Sequence, residues 1–248
     1  MLKFWMPVAT LWYRELLRFW RQRSRVLGVV ASPLVFWVII GSGFGDLSRF
    51  FAGALVLTIL FSAIFSTMSI IEDRREGFLL SMLVSPAPRT SMVLGKLLGS
   101  ATLAWIQGLI FLAFAPLAGL HPDAASLVGV TGTIFLVSFA LSALGFVIAW
   151  RMNSMQGFHA IMNLFLVPMW MVSGAVFPIW EAHSWIRWVM LANPLTYSVA
   201  AITRQLAAKV GPGTPSLSTG LIVTAAFGII LLFASAAMAR RTTRTSSA

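Results

Sequence analysis

The sequence predicts an all-α membrane protein: six transmembrane helices, an N-terminal amphipathic interfacial helix, and a broken external helical region before the last span. Three observations carry that prediction. Of 248 residues, 58% are hydrophobic and 10% are charged, whereas ordinary soluble domains have roughly 45–50% apolar and about 25% charged residues. Six apolar stretches recur, each long enough to cross a hydrocarbon core of about 30 Å. Fourteen of the eighteen Lys and Arg residues fall on one side of the topology that those stretches define, and such an excess marks the cytoplasmic side. Both termini and the loop 72–96 are therefore expected in the cytoplasm and 178–216 outside, with residues 1–248 forming a single transmembrane domain. The net charge of +11 reads as topology, not as a nucleic-acid surface, because no soluble basic domain exists to carry one. The lack of cysteine excludes disulfides, thiolate metal sites and a cysteine nucleophile.

Residues 1–25 open the chain with arginines and large apolar residues at helical spacing. Arg14, Arg18, Arg21 and Arg25 recur on one side, and Trp5, Val8, Trp12, Leu16 and Phe19 on the other. That is the pattern of a helix lying flat on a membrane with its arginines on anionic lipid; a loose cationic tail is the alternative. No small-residue cleavage motif follows the first apolar stretch, Val26–Phe44, so it is expected to remain as the first span. The others are Phe50–Ile71, Leu97–Leu117, Leu127–Ala149, Gly157–Phe177 and Leu217–Ala239. Residues 45–49 and 119–126 make tight outer connections. The longer Pro178–Ser216 contains Trp180, Trp185, Trp188 and Tyr197, which suit a membrane–water boundary. It reads either as two half-inserted helices divided near Asn193-Pro194 or as an ordinary external loop.

The polar stretch Glu72-Asp73-Arg74-Arg75-Glu76-Gly77 leads into Phe78–Val84 and on to Pro86, Pro88 and Arg89. It holds three of the seven carboxylates in the chain. Gly77 is expected to end the helix leaving the membrane, Phe78–Val84 to make two further turns, and the prolines to stop them. Leu79, Leu80, Met82, Leu83 and Val84 are too apolar for a solvated loop, which points to a protein partner. Phe78 and Leu79, nearest the tip, are expected to enter that partner most deeply.

Ionisable groups are scarce within the spans. His159 stands alone near the cytoplasmic end of the fifth, as a headgroup neighbour or a proton relay. Gln107 and Asn163 are suited to hydrogen bonds between helices, and Asn163 also to a substrate path. Gly95-Lys96-Leu97-Leu98-Gly99 has the small-residue spacing that lets helices approach closely. No phosphate-binding G-x-x-x-x-G-K-[ST] loop is present, so ATP and Mg would be bound by a partner and no cofactor by this chain. H-E-x-x-H and G-x-S-x-G are absent too, as are the ion-coupling acids expected of a secondary transporter. A channel working without ATPases is one rival reading. A membrane enzyme on lipid-linked substrates is another, with His159, Glu181, His183 or Asp123 as acid–base groups.

The run Glu72–Gly77, the short apolar helix to Leu83-Val84-Ser85-Pro86, then Arg89 and Gly95-Lys96, resembles the cytoplasmic loop of type-2 ABC exporter permeases, the family that includes drug, nodulation-factor and polysaccharide permeases. The resemblance extends over essentially the whole chain, including Leu191-Ala192-Asn193-Pro194-Leu195-Thr196-Tyr197 before the last span. Phe78 and Leu80 stand where family chains frequently have threonine and glutamate. The resemblance implies an exporter permease of the bacterial inner membrane that pairs with a second copy or close relative and binds two ABC ATPase subunits. Its coupling helix would be formed around Glu76, Gly77, Phe78, Leu79, Leu80, Leu83, Pro86 and Arg89. A conduit near spans one, two and five would draw on Phe36, Trp37, Phe61, Phe65, Asn163, Phe165 and Trp170, an aromatic set suited to amphipathic or lipid-like cargo.

Overall fold

The computed structural model describes residues 2–21, 23–206, 208 and 210–241, except for the side chains of residues 2, 3, 20, 23–27, 83 and 241. Regular structure is entirely helical among the described residues. The N-terminal helix α1 (Leu2–Arg21) leads to α2 (Arg23–Gly43). The central helix α3 (Leu47–Thr67) continues through Met68 into α4 (Ser69–Arg75), followed by the short α5 (Phe78–Val84). Next come α6 (Arg89–Leu112) and α7 (Ala124–Arg151). The following segment is broken: α8 (Met155–Ile161), a π-helical turn, α9 (Val167–Trp170) and a second π-helical turn ending at Ala175. The chain closes with α10 (Ser184–Ala192), α11 (Pro194–Gln205) and α12 (Leu217–Arg241).

Among the described residues, five helical segments are long and apolar enough to cross a membrane: Leu47–Arg75, Arg89–Leu112, Ala124–Arg151, Met155–Ala175 and Leu217–Arg240. The expected first span corresponds to α2, whose described apolar part, Gly28–Gly43, is shorter than the others. Two boundaries differ from the sequence reading for a clear reason. Helix α6 begins at Arg89, just after Pro88, not near residue 97, because Lys96 is paired with carboxylates and so does not force the helix into water. The fifth span is a broken rod, with Val172 outside helical geometry and Gly174 at φ 86°.

Helix α3 is the hub. Asp46 caps it, its side chain accepting from Arg49 N, and nearly every residue from Phe50 to Ile71 is buried. Glycines bring neighbours to backbone contact around it: a Cβ on Gly53 would lie 2.7 Å from the Ala175 backbone, and one on Gly108 2.7 Å from Ile134. In lipid, where apolar burial does not distinguish neighbour from solvent, such close approach gives dispersion contact that larger residues would prevent. Trp37, Phe51 and Phe111 form an aromatic knot beside the hub, with ring centroids 5.2–5.9 Å apart.

The region 178–216 does divide at Asn193-Pro194. Asn193 caps α11 by accepting from Leu195 N at 3.0 Å and donates to Met169 O, while Thr196 and Tyr197 donate back to Met190 O and Leu191 O. The motif is thus a joint between α10, α11 and the fifth span. Helix α11 packs inside the bundle, with Leu195 and the run Val199–Ile202 buried.

Candidate functional site

The loop after α3 is built around a buried carboxylate. One turn of helix beyond the apolar part of the hub, Asp73 is fully buried. The fork of Arg14 grips it at 2.8 and 3.2 Å, Arg18 donates at 2.8 Å, and the Lys96 ammonium pairs with it from α6. Lys96 also bonds Glu15 at 2.8 Å, and both of those side chains are almost fully buried. Arg18 pairs further with Glu72 at 2.8 Å. Burial disfavours the Arg18 charge, but Glu72 and Asp73 outweigh it and leave the guanidinium pKa raised. Six charged side chains from three helices thus meet at the base of the loop.

The two ends of the loop are tied down as well. Arg74 donates to the carbonyls of Trp150 and Met152 and to Asn153 Oδ1 at the C-terminus of α7, and Arg89 donates to Ala239 O near the end of α12. In both cases a cation meets the carbonyls that a helix C-terminus leaves without intrahelical partners. Between these anchors the chain turns at Gly77, whose φ of 75° suits a residue without a side chain, and α5 projects.

The structure sorts the expected coupling residues into two groups and corrects which of them face outward. Leu79 and Met82 are buried in the core, and Phe78 lies half-buried beneath the Arg14 guanidinium, 3.9 Å from its ring centroid. Phe78 and Leu79 are therefore not the leading edge. The outward face is Leu80, 67% exposed, and Val84, 84% exposed, with Glu76, Ser81 and Pro86 exposed around it. The reason is helical phase: 80 and 84 share one side of a two-turn helix, and 79 and 82 the other. The Leu83 side chain lies outside the described residues.

The N-terminal helix also departs from its expected orientation. Its buried stripe is Val8, Leu11, Glu15 and Phe19, while Trp5 is exposed. That stripe lies along α6, where a Cβ on Gly95 would meet Val8 O at 2.9 Å and one on Gly99 would meet Glu15 at 2.7 Å; Trp12 Nε1–H donates to Thr102. The Gly95–Gly99 pair is the bed of α1. Arg14 and Arg18, expected on lipid, are held by the loop carboxylates instead. Arg21 is exposed, and the Arg25 side chain lies outside the described residues. A signal for this was present: Glu15 stands at the centre of an apolar i, i+3, i+7 stripe, where a lone acid requires a partner.

Of the expected path residues, Phe61 and Phe65 line an apolar groove of about 500 Å³ between α2, α3 and α8, together with Val29, Met68 and His159. His159 packs against the Phe65 ring at 5.7 Å. Asn163 and Phe165 are exposed on the fifth span, outside this groove. Trp170 is buried and donates its Nε1–H to Gly53 O at 2.7 Å, with Phe36 edge-on against it at 5.2 Å; it is a core residue. Gln107 is buried, with no hydrogen-bond partner for either amide atom among the described residues. The acid–base candidates have structural employment: Glu181 pairs with Arg49 at 2.8 Å, and Asp123 caps α7 by accepting from Ser126 N.

The model of the ABC-2 type transporter family matches residues 7–206. The chain belongs to that family. Among similar proteins, Nodulation protein J of Neorhizobium galegae is 27% identical over 94% of this chain and 92% of its own length. Nodulation protein J of Rhizobium meliloti is 25% identical over 88% of this chain and 86% of its own. The protein named Probable multidrug ABC transporter permease YbhR in Escherichia coli is 27% identical over 62% of this chain and 42% of that protein. In this ABC-2 chain, then, the loop around α5 and the ion cluster beneath it belong to a multi-pass transport permease of the ABC class.

Proposed function

We propose that the chain is the transmembrane subunit of an ATP-driven exporter in a bacterial cytoplasmic membrane. Two separate ATPase subunits dock from the cytoplasm on α5, a second copy or close relative completes the conduit, and α2 supplies the sixth crossing. The cargo is amphipathic or lipid-like, consistent with the apolar groove containing Phe61 and Phe65. The observation that carries this reading is α5 itself: an apolar edge, Leu80 and Val84, exposed on a short helix whose base is anchored to α1, α7 and α12. An exposed apolar edge on a firmly held base is what a rigid-body transmission element requires.

Purified from its own membrane in mild detergent, the chain is expected to bring with it a protein that hydrolyses ATP. Purification free of any ATPase overturns the reading. Orientation has its own check, made simple by the cysteine-free sequence. Cysteines at the exposed positions Ala125 and Ser216 are expected to react with an impermeant thiol reagent in intact cells, and one at exposed Ser81 only after the membrane is opened. Ser91 is unsuitable for this purpose because it is buried, its hydroxyl donating to Pro88 O. Reaction of Ser81→Cys in intact cells would reverse the topology.

A further inference from the structure

Arg14 touches both sides of the Gly77 turn. Its guanidinium forks onto Asp73, four residues before the glycine, and lies over the ring of Phe78 immediately after it. Gly77 has open space where a Cβ would be, and its turn is closed by backbone hydrogen bonds to Arg74 O and from Leu80 N and Ser81 N. The angle between α4 and α5 is held by the buried Leu79 and Met82 and, from α1, by the Arg14 side chain. Helix α1 is in turn fixed to α6 by the Glu15–Lys96 pair and the two glycine contacts, and Lys96 closes the circuit onto Asp73 and Ser69.

We propose that Arg14, Glu15 and Lys96 are positioning residues that clamp α1, α4 and α5 into one unit, so that a push on α5 is delivered to α1 and α6 as well as to the hub α3. The inference rests on the coupling reading only for what does the pushing; the clamp is a property of this chain. Its energetic character makes it testable. Removing one member of a buried ion pair strands the other, whereas removing both leaves no uncompensated charge.

The test uses the full permease, purified without any partner, with spin labels at Tyr13→Cys on α1 and Val84→Cys on α5, both exposed. The unaltered clamp is expected to give a single narrow distance distribution. Lys96→Met is expected to broaden it, and Glu15→Gln added to Lys96→Met to leave it broad although no charge is stranded, because the tie between α1 and α6 is missing in both. Should Lys96→Met not yield folded protein, Arg14→Lys serves in its place: it keeps the charge and loses the fork and the ring contact, and is expected to broaden the distribution with the fold intact. A distribution that stays narrow in the single variants, or one that narrows again in the double variant, overturns the clamp. Because no ATPase is present, these outcomes are independent of whether one binds.

Discussion

A permease carrying Leu80→Asp and Val84→Asp is expected to insert and fold as before yet to lose its ATPase on purification, and transport with it. Both side chains are already in solvent, 67% and 84% exposed, so the chain's own packing does not depend on them. Burying them against a partner would contribute about 1.5 kcal/mol or more each, and every 1.4 kcal/mol is about tenfold in affinity. An unpaired carboxylate carried into the same contact adds a desolvation cost. The combined loss reduces a tight complex to one that does not survive washing. The measurement is retention of the ATPase on the immobilised permease, compared with the unaltered chain and with Ser81→Ala on the same helix. Retention equal to theirs would remove α5 as the docking element. The same change at Leu79 would be uninformative, because that side chain is buried and its loss would damage the permease first.

Asp73→Ala is expected to be the most destabilising single change in the ion cluster beneath α5. It would leave Lys96, Arg14 and Arg18 facing one another with one carboxylate fewer, and Lys96 is only 4% exposed. Breaking a buried pair by removing one partner costs about 3–5 kcal/mol, because the remaining charge stays out of water. Glu181→Ala provides the contrast: its pair with Arg49 is 51% and 38% exposed on the two partners, and exposed pairs contribute about 0–1 kcal/mol. The check is the thermal unfolding midpoint of each purified variant. A large fall for Asp73→Ala with little change for Glu181→Ala is expected. Equal effects would mean that the cluster is not held as a buried network.

The chemistry of the sequence by itself determined the class and the punctuation. Long apolar runs must become helices in a membrane because their backbone groups find no other partners there. That logic places α3, α6, α7 and α12 within a few residues, apart from the early start of α6. Gly77 and Asn193-Pro194 break the chain where they were expected to, because a positive φ and a missing backbone N–H act locally. Only the tertiary structure decided which faces are inside. Lys96 looked like the edge of a span and lies well within a helix, because Glu15 and Asp73, 81 and 23 positions away, neutralise it. Trp170 looked like part of a path and is locked to Gly53, 117 residues earlier. Phe78 and Leu79 looked outermost, but Phe78 lies beneath the Arg14 guanidinium and Leu79 is buried in the core, which leaves Leu80 and Val84 exposed. In lipid both faces of a helix can be apolar, so periodicity loses its power to tell core from surface. What remains to fix each face is the long-range pairing of charges and the depth at which glycines let backbones meet, and neither is written in any single stretch of chain.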